Sequence, residues 1–346
     1  MATIPELVAP AALQSLRDSH GRLITDLRVS ITDRCNYKCV YCRTGQVGAQ
    51  YAELSTQDYL RLIRNFVGLG IEKVRLTGGE PLLRKDLVSM VRELATWRTP
   101  SGNRLDLAVT TNGHLLEDLA QPLKDAGLSR ITVSMDAVDP LVFERVTRIP
   151  GSYDAVLHGI RAAQRAGFER IKINCVLLRG FNDDQVEAFA HFARQENVIV
   201  RFIEFMPLEE DRLWTPEMVV PLREIVARIH AVYPLTPLTP NSPSETARRY
   251  GFADSPGSVA EIGVIAPVTQ AFCGACSRIR LTSDGKIRTC LFSNIEHDLY
   301  AELKKGASDD NLRDFIVRTV EQKEARHHIG EPGFLKPSRS MVHIGG

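Results

Sequence analysis

The chain has 346 residues, 44% of them hydrophobic, and 43 Lys and Arg balance 42 Asp and Glu for a formal net charge of +1. That length suits one large domain or two unequal ones with an ample core. The balance excludes a global field for nucleic acid or membrane, so anion binding must rest on local clusters. No apolar run reaches transmembrane length, and residues 1–20 lack the basic, apolar, small-residue layout of a secretory signal. A cytoplasmic protein is expected, in which seven cysteines act as metal ligands or spectators rather than in disulfides.

The first strand-like run, Leu27–Thr32, leads straight into Cys35-Asn36-Tyr37-Lys38-Cys39-Val40-Tyr41-Cys42. Three thiols at C-x3-C-x2-C spacing can hold one corner of a metal cluster, yet they leave a four-iron cluster one ligand short. An open iron can bind a substrate or cofactor, which a purely structural or electron-carrying cluster does not need. Buried structural cysteines are the plain alternative, but Asp33, Arg34, Asn36 and Lys38 around them make poor core. A structural zinc site needs a fourth Cys or His nearby, and the next forty residues contain neither.

Further strands are predicted at Lys73–Thr77, Asp106–Thr111, Arg130–Asp136, Arg170–Leu178 and Val198–Phe205, separated by helices at Thr56–Leu69, Arg84–Trp97, Leu115–Ala126, Tyr153–Ala166 and Asp183–Gln195. Ser55 and Asn182 read as helix N-caps, and Gly70, Gly127 and Gly167 as helix ends. Six βα repeats imply parallel strands with right-handed crossovers. Six is short of the eight of a closed barrel, so a partial (β/α)6 barrel is expected. Two loops stand out: Thr77-Gly78-Gly79-Glu80-Pro81, whose glycines permit close backbone approach, and Thr110-Thr111-Asn112-Gly113, which also reads as an ordinary turn.

Parity sharpens this picture. Leu27, Val29 and Ile31 alternate with Arg28 and Ser30, Val74 and Leu76 with Arg75 and Thr77, Ile131 and Val133 with Thr132 and Ser134, Ile171 and Ile173 with Lys172 and Asn174. With the apolar set against outer helices, the polar set lines one concave interior suited to a polar anion. A one-sided sheet with a solvated face is the alternative. Past Met206, seven prolines break the regularity, one helix spans Leu222–Val232, and Leu235–Ser244 reads as a linker. The expected division is therefore 1–234 and 235–346. The second part carries Cys273, Cys276 and Cys290 (C-x2-C-x13-C), a hairpin turn at Asp284-Gly285-Lys286, and a tail ending in Gly345-Gly346. This triplet is again one ligand short, and zinc with His297, His327 or His328 stays open. Cys175 reads as core.

The octet resembles the signature of radical S-adenosylmethionine (SAM) enzymes, including the aromatic Tyr41 before the third cysteine. The resemblance implies a partial barrel in which the reduced cluster cleaves SAM to a 5′-deoxyadenosyl radical, with Tyr41, Gly79, Ser134 and Met206 at SAM-contacting positions and Thr111 at a substrate contact. Two triplets, Arg278-Ile279-Arg280 and the terminal glycines together resemble the GTP 3′,8-cyclase family of molybdenum cofactor biosynthesis, from about Leu27 to the last residue. That resemblance implies two [4Fe–4S] clusters on Cys35, Cys39, Cys42 and on Cys273, Cys276, Cys290, the second contacting the guanine of GTP. It also implies catalytic participation of Gly345 and Gly346, a downstream cyclic pyranopterin monophosphate synthase and an electron donor. A frayed, expendable tail is the alternative for the glycines. The family often follows the first triplet with Met-Pro, where this chain has Arg43-Thr44.

GTP carries about four negative charges and needs several cations in one cavity. Arg28, Arg75, Lys172, Arg201, Arg278 and Arg280, with Ile279 between the last two, are the substrate-binding candidates, and no G-x4-G-K-S/T loop appears. Rival readings are a peptide-modifying radical SAM enzyme with an auxiliary cluster, and a barrel bearing a zinc-binding module. Neither nucleic acid nor membrane is an expected partner, while a homodimer is compatible with the sequence.

Overall fold

The computed structural model describes residues 15–42, 49–210 and 213–345, so Arg43, Thr44 and Gly346 lie outside the described residues. Six parallel strands form the centre of a sheet: β1 (Asp26–Ser30), β2 (Lys73–Thr77), β3 (Asp106–Thr111), β4 (Arg130–Ser134), β5 (Lys172–Leu177) and β6 (Ile199–Glu204). Their alternating burial follows the expected parity, with Leu27, Val29, Val74, Leu76, Ile131 and Ile173 at most 1% exposed.

The helices that cover the sheet are α1 (Thr56–Gly68), α2 (Leu87–Thr96), α3 (Leu116–Asp125), α4 (Pro140–Thr147), α5 (Ser152–Arg165) and α6 (Val186–Gln195). In α1 the buried Tyr59, Leu62, Ile63 and Phe66 recur at the spacing of one helical face, and the Ser55 hydroxyl accepts from the Asp58 amide. Each such buried side chain contributes about 1.5–3 kcal/mol relative to exposure. The sequence reading missed α4, whose eight residues follow the Asp139 cap and begin with Pro140. Asn182 stands, as expected, just before the helical turn Asp183–Gln185 that leads into α6, but its side chain makes no capping bond. Its buried side chain accepts from the Leu178 amide and donates to the Asp136 and Val176 carbonyls.

The C-terminal part extends this sheet at both edges. After α7 (Leu222–Val232) come β7 (Leu235–Leu238), β8 (Ala247–Phe252), β9 (Glu261–Ile265), β10 (Arg278–Leu281), β11 (Lys286–Arg288) and β12 (His297–Asp298), then α8 (Leu299–Lys304), α9 (Asp309–Glu321) and α10 (Met341–Ile344). Strand β9 pairs parallel with β6, and β10 pairs parallel with β1. Among the described residues, eight parallel strands therefore stand side by side, with antiparallel strands at each end. The stretch expected as a linker supplies β7, which pairs with β8 despite Pro237 because it is the edge strand.

The loop after β2 is held against the first cysteine loop by backbone bonds: the Gly79 amide donates to the Thr32 carbonyl at 2.8 Å and the Glu80 amide to the Arg34 carbonyl at 2.7 Å. A Cβ at Gly79 would overlap the Arg34 carbonyl oxygen, and one at Gly78 the Thr32 carbonyl oxygen. Backbone cannot yield as a side-chain tip can. Gly79→Ala should therefore destabilise the protein by about 1–3 kcal/mol, the usual cost of overpacking, read as a drop of several degrees in thermal denaturation. An unchanged melting temperature would show that the two loops are not in such close approach.

Candidate active site

One cavity opens at the C-terminal ends of the strands, where barrel sites are built. Cys35, Cys39 and Cys42 all line it, at the end of the loop that leaves β1. Three supports hold this loop. The Lys38 and Val40 amides donate to the Thr147 and Val146 carbonyls at the end of α4, the glycine pair lies against residues 32–34, and the Tyr41 hydroxyl donates to Asp136 Oδ2 at 2.7 Å. Asp136 also accepts the Val176 amide at 2.8 Å, and its burial pushes its carboxyl up to about 6. The Cys39 thiol is likewise pushed up by burial, with Asp136 and the two neighbouring thiols adding to the effect. No group of three or more His, Cys, Asp or Glu among the described residues converges on a single-ion position.

Gly79, Tyr41, Ser134 and Met206 line the same cavity, as do Arg28, Arg75, Thr111, Arg201 and Arg280. Lys172, Arg278 and Ile279 do not line it. Thr111 donates its hydroxyl to Glu80 Oε1 at 2.7 Å, and Glu80 also accepts the Asn112 amide at 2.6 Å. The loops after β2 and β3 are thereby tied through one carboxylate, which burial pushes up to about 7. Asn112 continues the tie, donating to Asn36 Oδ1 at 2.7 Å within the cysteine loop.

Strand register explains how the cations meet. Arg28 on β1 stands opposite Arg280 on β10 and Arg75 on β2, so three guanidinium groups lie abreast on the inner face. Ser134, Asn174 and Arg201 form a second row across β4, β5 and β6, and Gly263 on β9 leaves space for the Arg201 stem, which lies 3.1 Å from where a Cβ would be. Arg28 Nε, Arg201 Nε and Asn174 Oδ1 are buried without a hydrogen-bond partner among the described residues. Burial lowers Arg28 to about 10 and Arg201 to about 9; Arg75 and Arg280 are lowered by the same cause, and neighbouring cations push each of the four the same way. Arg75 is steadied by Thr110 and Thr132 hydroxyls at 3.0 and 3.2 Å.

The second triplet borders this row. Cys276 acts electrostatically on Arg28, and Cys290 on Arg280. Burial works to raise the Cys276 thiol, but Arg278 and Lys323 outweigh it and hold it at about 7, with the Arg278 guanidinium 3.5 Å from its sulfur. The sequence reading missed Arg22, whose buried guanidinium donates to the Cys273 carbonyl at 2.9 Å and to the Ala325 and Glu324 carbonyls while pairing with Asp18. Arg280 donates to the carbonyls of Ile344 and Gly345, so the tail reaches the cavity wall. There a Cβ on Gly345, whose φ is 70°, would stand 2.7 Å from Thr77 Cγ2. Asp136 and Asn174 share the inner-face parity of Ser134, which marked their face though not their roles; Arg22 left no signal.

Comparison with known proteins agrees with this geometry. The radical SAM superfamily matches residues 29–193, and the family described as Molybdenum Cofactor Synthesis C matches residues 198–329. A GTP 3′,8-cyclase of Xanthomonas axonopodis pv. citri is 44% identical over 340 residues, covering 96% of this chain and 99% of the relative. Those of Acidothermus cellulolyticus and Peptoclostridium acidaminophilum are 44% and 38% identical, over 91% and 96% of this chain and 88% and 98% of their own lengths. Among solved structures, SuiB of Streptococcus suis bound to S-adenosylmethionine superposes with a TM-score of 0.58 at 13% identity, over 86% of this chain and 69% of that one, a likeness of fold. By sequence identity sustained along nearly its whole length, the chain belongs to the GTP 3′,8-cyclase family of the radical SAM superfamily.

Proposed function

We propose that the chain converts GTP to (8S)-3′,8-cyclo-7,8-dihydroguanosine 5′-triphosphate, the first step of molybdenum cofactor biosynthesis. One observation carries the reading beyond family membership: a cavity that holds three cysteines at one side also holds buried arginines, of which Arg28 and Arg201 each leave Nε without a hydrogen-bond partner among the described residues. Such cations are costly in an empty site and suit a polyphosphate. When bound, a [4Fe–4S] cluster on Cys35, Cys39 and Cys42, together with SAM, supplies the radical chemistry of hydrogen abstraction. Tyr41, Gly79, Ser134 and Met206 hold and orient SAM. Arg28, Arg75 and Arg201 take the triphosphate, with Lys172 beneath them and Arg278, Ile279 and Arg280 on the side of the base. Thr111 acts on the substrate through the loop it ties to Glu80.

Cys273, Cys276 and Cys290 carry a second [4Fe–4S] cluster facing the guanine. Residues 1–234 thus serve the first cluster and SAM, and residues 235–346 the second cluster. The Gly345–Gly346 end orders the substrate at the cavity mouth with backbone alone. The product requires a downstream cyclic pyranopterin monophosphate synthase, and the clusters require an electron donor. A cytoplasmic location, with or without a homodimer, suits these partners; no helix among the described residues is long and apolar enough to cross a membrane.

Reconstitution under anaerobic conditions should load about eight irons per chain, four for each triplet. About four irons with one zinc would overturn the second cluster. Arg28→Ala and Arg201→Ala should each weaken GTP binding by about 1.5–3 kcal/mol, the range for hydrogen bonds to charged groups. The melting temperature of the ligand-free protein should hold or rise, because burial opposes both charges and neither Nε has a hydrogen-bond partner among the described residues. Normal GTP affinity in both variants, measured by calorimetry, would refute the assignment.

Lys172 yields a pH prediction. Burial, aided by repulsion from Arg201, Arg130 and Arg75, lowers it from 10.5 to about 7 in the folded chain. Between those values the unfolded state binds more protons, so stability should rise with pH from about 7 to 10.5, the penalty being fully present below 7. Lys172→Met should flatten that slope in denaturant titrations of the ligand-free protein; an identical slope would mean that Lys172 is not held deprotonated by its surroundings.

A further inference from the structure

The segment from Lys336 to Gly345 crosses the barrel mouth as a strap with separate anchors. Lys336 pairs with the buried Glu209 at 2.8 Å, the Met341 amide donates to the Leu208 carbonyl at 3.2 Å, and Ile344 packs with Leu208 and Phe292. The strongest anchor is Arg339, whose side chain is 5% exposed. Its two terminal nitrogens donate to both carboxylate oxygens of Asp284, each at 2.8 Å, and it meets Glu296 at 2.7 Å. The guanidinium carbon also lies 4.1 Å from the centre of the Tyr51 ring, which meets His343 edge-on at 5.2 Å.

These partners come from opposite sides of the site. Asp284 forms the turn between β10 and β11, the hairpin that separates Cys276 from Cys290. Tyr51 lies beyond the first triplet, and its amide and that of Gln50 donate to Asp33 Oδ2 at 2.9 and 2.6 Å, two residues before Cys35. One side chain thus joins the loop of each triplet to the strap that carries Gly345. A planar fork can bind a carboxylate bidentately while stacking on a ring, and an ammonium cannot do both.

We infer that Arg339 is a positioning residue that seats the Gly345 end in the cavity, and that it does so only when the loops of both cysteine triplets are folded. The link from seating to turnover rests on the cyclase reading; the seating itself does not. The test uses full-length, cluster-loaded protein and the variants Arg339→Lys, Tyr51→Leu and Tyr51→Phe. It reads amide hydrogen exchange at Met341 and His343, and the yield of cyclised nucleotide per 5′-deoxyadenosine released. In Arg339→Lys and Tyr51→Leu the tail amides should exchange about tenfold faster, the ratio given by ~1.4 kcal/mol of lost seating. The yield per 5′-deoxyadenosine should fall by a similar factor, while iron content and the melting temperature hold. Tyr51→Phe, which keeps the ring, should behave as the unaltered protein. Tail amides that stay protected in both of the first two variants would overturn the seating role. A loosened tail with an unchanged yield would overturn its link to turnover. Absence of any cyclised product from the unaltered protein would instead refute the cyclase reading, with the exchange data still deciding the seating.

Discussion

Three arginines abreast on the inner face of β10, β1 and β2 impose the constraint around which the rest of the molecule is arranged. Like charges directly opposite one another across a sheet are destabilising, and burial compounds the cost by removing water. Register makes the arrangement unavoidable, since Arg280, Arg28 and Arg75 are direct neighbours across β10, β1 and β2. The protein tempers it in part, through the Asp26 carboxylate acting on Arg28 and Arg75, the Thr110 and Thr132 hydroxyls on Arg75 and the tail carbonyls on Arg280. A large apolar core outside the sheet, from Leu27 and Phe66 to Phe202, supplies the stability that lets such a row persist. An anionic substrate such as a nucleoside triphosphate, bound as proposed above, would complete the charge balance of this row in a nearly neutral chain.

Rigid placement of the thiols is the second consequence. The first cysteine loop is short, but it is fixed by α4, by the glycine pair after β2 and by Asp136 through Tyr41. Glu80 joins the loops after β2 and β3, and Asn112 joins the latter back to Asn36. Ligands held in this way lose little freedom when a cluster binds, and a site placed on strand ends keeps its geometry better than one on free loops. The second triplet is braced differently, by Arg22 on the Cys273 carbonyl and by Lys323 on the Thr289 carbonyl, so the two sites draw on separate supports.

Much of this was legible in the linear chain. Cysteine spacing marked both triplets because ligands on one short loop must be close in sequence. The six βα repeats announced themselves through helix and strand periodicity, and strand parity placed Arg28, Arg75 and Lys172 on the inner face with Ser134. Parity failed to separate Lys172 from the others, since it fixes a face and not a depth; Lys172 opens β5 and lies away from the cavity. Asn182 holds the cap position that local preference marked, yet its side chain bonds the carbonyls of Asp136 and Val176 instead of the helix, which no local rule foretells.

Local chemistry, written in spacing and alternation, was therefore determined by the sequence itself: the thiol loops, the parallel half-barrel and the polar interior. Only the tertiary structure decided that β10 lies beside β1 and β9 beside β6, which brings Arg280 to the cavity of the first triplet and sets Cys276 and Cys290 near Arg28 and Arg280. The same is true of the tail, whose Arg339 meets Tyr51 and Asp284 from distant parts of the chain. Pairings between segments some 250 residues apart leave no periodic trace, because their energy comes from backbone bonds and from surfaces that exist only once both partners are folded.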